Sequence, residues 1–329
     1  MEAAVFLASV LAASPPILFT VLGETITERA GVVNLSLDGS LLLTALAGFV
    51  LAFHSGSVVV GVCAAMLVGA LIALALAFVS LTLRQNQFAV GFVLTLLCRD
   101  LAYVLGNAYT HLPGPQVPHL AAPGLAGIPL LGRILFDHDW LVYLSLAATG
   151  AVWFFMFRSS CGLRLRGLGE NPAASFARGA NVVRLRYIYT LVGGAMVGLG
   201  GASFSLLVKP GWARPYGIEG TGWIALAIVI FGGWHPLRAA AGACFFVALQ
   251  NAAIVLQSAL PNVPTQVFAA LPFPLMILTL LLVTLGSSDW AARLLGHAPP
   301  PLRRGLMRLL EALQASPPAA LGTRFDDRV

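Results

Sequence analysis

Nine stretches of this chain are long and apolar enough to be buried on every side. They are about Met1–Thr20, Val32–Phe53, Val58–Leu81, Phe88–Gly106, Trp140–Phe157, Tyr187–Val208, Gly222–Phe231 with its flanks, Arg238–Gln257 and Val267–Gly286. Roughly 20 apolar residues cross a bilayer as a helix, and only helices and closed barrels satisfy their backbone there. Soluble domains carry about 25% charged residues; this chain has 10%, with 58% hydrophobic and a mean hydropathy of +0.88. The reading is all-α: a polytopic helical membrane protein with nine or ten spans, the tenth being a broken or re-entrant element over Glu24–Ser40. The first stretch lacks a basic leader, its one charge being Glu2, so it reads as a retained span kinked at Pro15-Pro16.

Charge sets the topology. Lys209 is the only lysine, every other basic residue being arginine, and the net charge is +6. The segment between Phe157 and Tyr187 holds Arg158, Arg164, Arg166, Arg178, Arg184 and Arg186 against one acid, Glu170. The positive-inside rule makes it a cytoplasmic loop (158–186), and puts the turn Arg84–Gln87 and the tail on the same side. The Pro- and Gly-rich segment Asn107–Asp139 falls outside. The expected division is a transmembrane domain over 1–286 and a cytoplasmic tail over 287–329. In that tail Leu302, Leu306, Leu309 and Leu313 alternate with Arg303, Arg304 and Arg308 as an amphipathic helix on membrane lipid. Ser316–Val329 is expected to be disordered.

Catalytic and nucleic-acid chemistry find no foothold. The four cysteines are scattered without a CxxC pair, the six histidines show no metal spacing, and no phosphate-loop motif occurs. Basic loops that orient spans account for the positive charge without nucleic acid.

Polar residues inside spans need a reason. Glu24, Thr27, Gly31, Asn34 and Asp38 follow a 3, 4, 3, 4 spacing, which puts them on one face if that stretch is a single helix. Such a stripe faces a wet translocation route or a partner helix; the expectation here is that Asn34 and Asp38 line or flank the route. Arg99 and Asp100, adjacent in a span, point about 100° apart on a helix; each is expected to find another partner, or Arg99 to snorkel toward the outer surface. Gly193, Gly194, Gly198, Gly200 and Gly201 predict close helix packing.

Three motifs in order carry a resemblance. Glu28-Arg-Ala-Gly-Val-Val-Asn-Leu-Ser-Leu-Asp-Gly39 resembles the ERAGVVNLGLEG signature of permease subunits of ABC importers for nucleosides and simple sugars. Gly162-Leu-Arg-Leu-Arg-Gly-Leu-Gly-Glu-Asn-Pro-Ala-Ala174 is similar to that family's GLRxRAVGENPxAA loop, and Gly220–Trp234 to its GxGxIALAxxIFG segment. Asp38 stands where the family has glutamate, Ser36 where it has glycine, and Thr221 where a basic residue is common. The resemblance implies an importer permease in the cell membrane, with its C-terminus cytoplasmic, and no cofactor in this chain. It also implies a cytoplasmic ATPase carrying ATP and Mg, a second permease, and an external binding protein or lipoprotein. Nucleosides are the first expected substrate, with simple sugars and branched-chain amino acids as alternatives; a stand-alone secondary transporter is the less favoured reading, since few embedded ionisable residues offer ion coupling. The ATPase would dock on Gly169, Glu170, Asn171, Pro172, Ala173, Ala174, Phe176 and Arg178, where Pro172 suits the first turn of a short helix. Asn34, Asp38, Thr27 and Glu24 are the expected pathway residues.

Overall fold

The computed structural model describes residues 2–121, 131–260 and 317–325, with scattered positions between 263 and 278. The first expected span is two helices, α1 (Glu2–Ala13) and α2 (Pro15–Arg29), meeting at 52°. Pro15 and Pro16 open α2, where a missing N–H costs nothing, and so produce the expected bend. Then come α3 (Leu37–Ser55), α4 (Val58–Ala77, prolonged by a π turn to Thr82) and α5 (Gln87–Gly106, tightening to a 3-10 turn at Tyr109). A small antiparallel pair, β1 (His119–Ala121) with β2 (Asp137–Asp139), flanks the short α6 (Leu131–Leu135). Next are α7 (Trp140–Arg158), α8 (Ser160–Glu170), α9 (Pro172–Ala177), α10 (Val182–Ser203, prolonged to Val208), α11 (Thr221–Phe231) and α12 (Pro236–Ala259).

Among the described residues six helices are long and apolar enough to span, or seven with the α1–α2 pair counted as one. The stretch expected to span around Gly222–Phe231 does not: α11 has 11 residues, or about 16 Å at 1.5 Å per residue, against a roughly 30 Å hydrocarbon core. It begins at Gly220 and ends at Gly232, just before Gly233 and Trp234, both at positive φ. The expected span Val267–Gly286 falls almost wholly outside the described residues. So do the leucines of the expected amphipathic helix and the boundary near residue 286.

Helix α10 is the hub, packed on α2, α3 and α4. Its glycines work as the spacing predicts. A methyl on Gly193 would strike Thr27 and the Gly23 carbonyl, and one on Gly194 would strike Ala73 and the Gly69 carbonyl. Backbones therefore approach closely where no hydrophobic force separates helix from lipid. The outer faces of α4, α5 and α7 expose Leu67, Val93, Val104 and Phe154, as a chain solvated by lipid requires.

The stripe from Glu24 to Asp38 is not one helix face. Helix α2 stops at Arg29, Gly31 turns at φ +88°, and α3 restarts at Leu37. The 3, 4 spacing runs across a break that a left-handed glycine makes possible. The expected disordered end also differs: residues 317–325 pack onto the bundle. Gly169 accepts from the Ala320 N–H at 2.7 Å, Gly31 from the Gly322 N–H at 3.1 Å, and Arg186 Nη1 donates to the Thr323 carbonyl at 2.9 Å. Backbone pairing and one buried arginine order a segment whose composition carries no such signal.

Candidate functional site

Two neighbouring regions hold the expected functional residues: the α8–α9 end of the bundle and the link between α2 and α3.

Helix α8 starts where Ser159 Oγ accepts from the Gly162 N–H at 3.0 Å. It ends at Asn171, whose Oδ1 accepts from the Ala174 N–H at 2.9 Å and caps α9, with Pro172 at its first position. Ala173, Ala174, Phe176, Ala177 and Arg178 are exposed, Phe176 by 47%. A large aromatic ring open to solvent on a one-turn helix is a surface that another protein could cover. Gly169 is buried and packs so closely on the Arg29 carbonyl that a Cβ there would clash. Glu170 pairs with Arg29 at 3.4 Å; Arg29 also donates to the carbonyls of Trp234 (3.1 Å) and Gly233 (3.2 Å), tying α8 to the α11–α12 turn. Beside α9 a groove of about 600 Å³ runs to the start of α10, with Arg164, Arg178 and Arg184 among its lining residues. On the other side the Phe176 and Phe325 rings lie 5.6 Å apart.

The α2–α3 link is held by side chains from several elements. Arg186, 1% exposed, donates to the Ala30 carbonyl at 3.1 Å. Gln87 Oε1 accepts from the Val33 N–H at 2.9 Å, and Thr95 Oγ1 donates to the Leu35 carbonyl at 2.6 Å. Glu24 Oε1 accepts from the Asn34 N–H at 3.3 Å, and Asn34 Oδ1 accepts from both the N–H and hydroxyl of Ser36. Trp234 Nε1 donates to Glu28. Irregular backbone buried inside a bundle survives only when its polar groups are paired in this way.

Of the expected pathway residues, Glu24, Thr27 and Asn34 are buried within the chain, and Thr27 donates to the Gly23 carbonyl at 3.2 Å. In this conformation they face no open space. Asp38 is partly exposed, and its Oδ1 accepts from the N–H groups of Gly220 (2.7 Å) and Gly222 (3.2 Å), the first free donors of α11. The stripe and the third motif therefore meet at Asp38.

Sequence reasoning gave no site role to Tyr103, Arg214 and Glu219, and placed Arg186 and Gln87 in cytoplasmic loop and turn, whereas both are buried against the α2–α3 link. Glu219 lies in the loop before α11 and accepts from the N–H groups of Tyr216 (2.8 Å) and Gly217 (2.6 Å) and from the Tyr103 hydroxyl. Burial by itself would raise its carboxyl, but these hydrogen bonds outweigh it and hold Glu219 below the usual carboxylate range. Its signal was available: an acid among glycines just before a helix start. Arg99 and Asp100 do not find separate partners, because Arg99 Nε bends back to Asp100 Oδ1 at 3.3 Å. The long arginine stem spans the angle that the helix puts between them. No cluster of histidine, cysteine and carboxylate able to hold a metal occurs among the described residues.

The family described as branched-chain amino acid transport system / permease component matches residues 6–280. TsgC13 of Haloferax volcanii, named as a permease protein of a glucose ABC transporter, is 36% identical over 270 residues, covering 80% of this chain and 82% of its own. The guanosine ABC transporter permease protein NupQ of Bacillus subtilis is 32% identical over 280 residues, 80% of this chain and 87% of its own. The nucleoside ABC transporter permease protein NupC of Lactococcus lactis is 28% identical over 291 residues, 84% and 92%. Haloferax volcanii and Bacillus subtilis each also hold a second matching permease, TsgB13 and NupP. No solved structure matches. A helical bundle with six or seven candidate spans among its described residues, matched by this family over most of its length, belongs to the branched-chain amino acid transport system permease family and is a multi-pass membrane subunit of an ABC transporter, not an enzyme.

Proposed function

We propose that this permease imports nucleosides, with simple sugars as the alternative cargo and branched-chain amino acids a more distant one. The observation that carries the reading is the set of three motifs, Glu28–Gly39, Gly162–Ala174 and Gly220–Trp234, together with likeness to relatives named for guanosine, nucleosides and glucose. A homologous second permease completes the pathway, a reading supported by the paired relatives of two organisms. An external binding protein or lipoprotein delivers substrate and a separate ATPase binds ATP and Mg.

The ATPase docks on the segment Gly169–Arg178, with Phe176 as the knob and the basic groove lined by Arg164, Arg178 and Arg184 beside it. That end, with the tail, is cytoplasmic, consistent with its arginines. Force applied to α9 reaches α2 through Glu170 and Arg29, and α11 through Arg29 and the Gly233 and Trp234 carbonyls. In this reading Glu24, Thr27 and Asn34 act from behind the pathway as supports of the α2–α3 link, and Asp38 flanks the route itself. Phe176→Glu should leave membrane insertion intact and abolish substrate uptake while ATP hydrolysis by the assembled complex persists. Wild-type uptake per ATP in that variant and in Glu170→Arg would sink the docking assignment. Binding of guanosine, glucose and leucine to the cognate external protein decides among the cargoes.

A further inference from the structure

The α5 span runs from Gln87 to Tyr109, 23 residues, so its midpoint is residue 98. Arg99 and Asp100 therefore sit at the middle of this candidate span, and their side chains are 43% and 67% exposed. A charged side chain at that depth costs roughly 2.5–3.5 kcal/mol on insertion scales, and pairing with each other leaves both in contact with whatever covers this surface. Hydrocarbon is the costliest cover. One helical turn beyond Arg99, Tyr103 donates to Glu219, and the Arg214 guanidinium lies 4.5 Å from the Tyr103 ring centroid. Arg99 and Glu219 are both close enough to act electrostatically on Asp38. Toward the other end of the same α5 face, Phe92 and Trp223 pack at 6.3 Å while remaining 49% and 39% exposed.

Two guanidinium groups, Arg99 and Arg214, and two carboxylates, Asp100 and Glu219, thus lie beside exposed aromatic rings. We propose that Arg99, Asp100, Tyr103, Arg214 and Glu219 form the solute-contacting wall of the translocation pathway, built for a neutral solute bearing a vicinal diol. A carboxylate accepts from two adjacent hydroxyls, a guanidinium donates to their oxygens, and an aromatic face covers a sugar ring or a base. The balanced charge disfavours ions, which would meet an opposed partner beside every attractive one. Ribonucleosides and hexoses share the diol, so the proposal rests on, and deepens, the cargo reading above.

The test uses the complete transporter in membranes, with Cys63, Cys98, Cys161 and Cys244 replaced by serine or alanine. Asp100→Cys and Tyr103→Cys are each treated with a small charged thiol reagent, with Leu67→Cys on the outer face of α4 as the lipid control. The wall predicts labelling at 100 and 103 and not at 67, slowed by guanosine or by glucose but not by 2′,3′-dideoxyguanosine. Asp100→Asn, in the otherwise native transporter, should raise the KM for uptake roughly tenfold or more, the loss expected for one hydrogen bond to a charged group, with little change in maximal rate. Protection by glucose alone would overturn the nucleoside cargo and keep the wall. Equal protection by the dideoxy compound would overturn the diol. No labelling with or without trapped ATP, or labelling that no solute slows, would overturn the wall and assign this face to contact with the second permease.

Discussion

Replacing Asp38 tests whether the break between α2 and α3 and the start of α11 form one unit. One carboxylate oxygen accepts from two N–H groups, 2.7 Å from Gly220 and 3.2 Å from Gly222. Hydrogen bonds to a charged acceptor contribute about 1.5–3 kcal/mol each, and two that share one oxygen give less than twice that. A negative charge at a helix start adds about 0.3–1 kcal/mol. Asp38→Ala should therefore cost about 3 kcal/mol, leaving both donors unpaired. Asp38→Asn keeps an oxygen in place and should cost about 1 kcal/mol. Gly222→Ala attacks the same contact from the other side, since its methyl would strike the Asp38 backbone. Thermal unfolding of the purified transporter in lipid nanodiscs, followed by aggregation or thiol exposure, should fall by roughly 5–10 °C for Asp38→Ala and under about 3 °C for Asp38→Asn. Uptake should fall in the same order. An Asp38→Ala variant that melts with the parent, or as early as Asp38→Asn, would refute the clasp and leave Asp38 as a pathway group alone.

Glu219 sets an acid limit on the loop before α11. Its folded pKa is lowered from 4.5, so its contribution is complete above the unfolded value and is lost as pH falls through the folded one. Melting followed from about pH 6 to about pH 3 should show an acid limb that Glu219→Gln removes, and an unchanged limb in that variant would refute the assignment. Deleting residues 317–329 takes the Thr323 carbonyl from buried Arg186, a loss of about 1.5–3 kcal/mol. The truncated transporter should melt earlier and import less per ATP, whereas parental melting and uptake would show the segment to be dispensable.

Much was legible in residue order because lipid imposes it. Apolar length gave the spans that are seen, Pro15-Pro16 the bend, the α10 glycines their close contacts, and Asn171-Pro172 the short capped helix α9. These are local effects, or effects of the solvent, and need no knowledge of what lies across the bundle. The break at Gly31 was not legible, because a glycine inside a periodic pattern reads equally as helix and as turn until Arg186, Gln87 and Thr95 are seen to hold the turned backbone. Arg99 and Asp100 were visible as costly residues, but only the fold shows that they stay exposed about one helical turn from Tyr103, which meets Arg214 and Glu219, more than a hundred residues away. The same holds for residues 317–325, polar enough to read as a loose end, whose order comes from carbonyls and a buried guanidinium on distant helices. Sequence determined which segments are apolar enough to enter a membrane; the tertiary structure alone decided that α11 is too short to cross, and which polar groups are paired inside the chain and which remain open, because pairing depends on distances that no local pattern encodes.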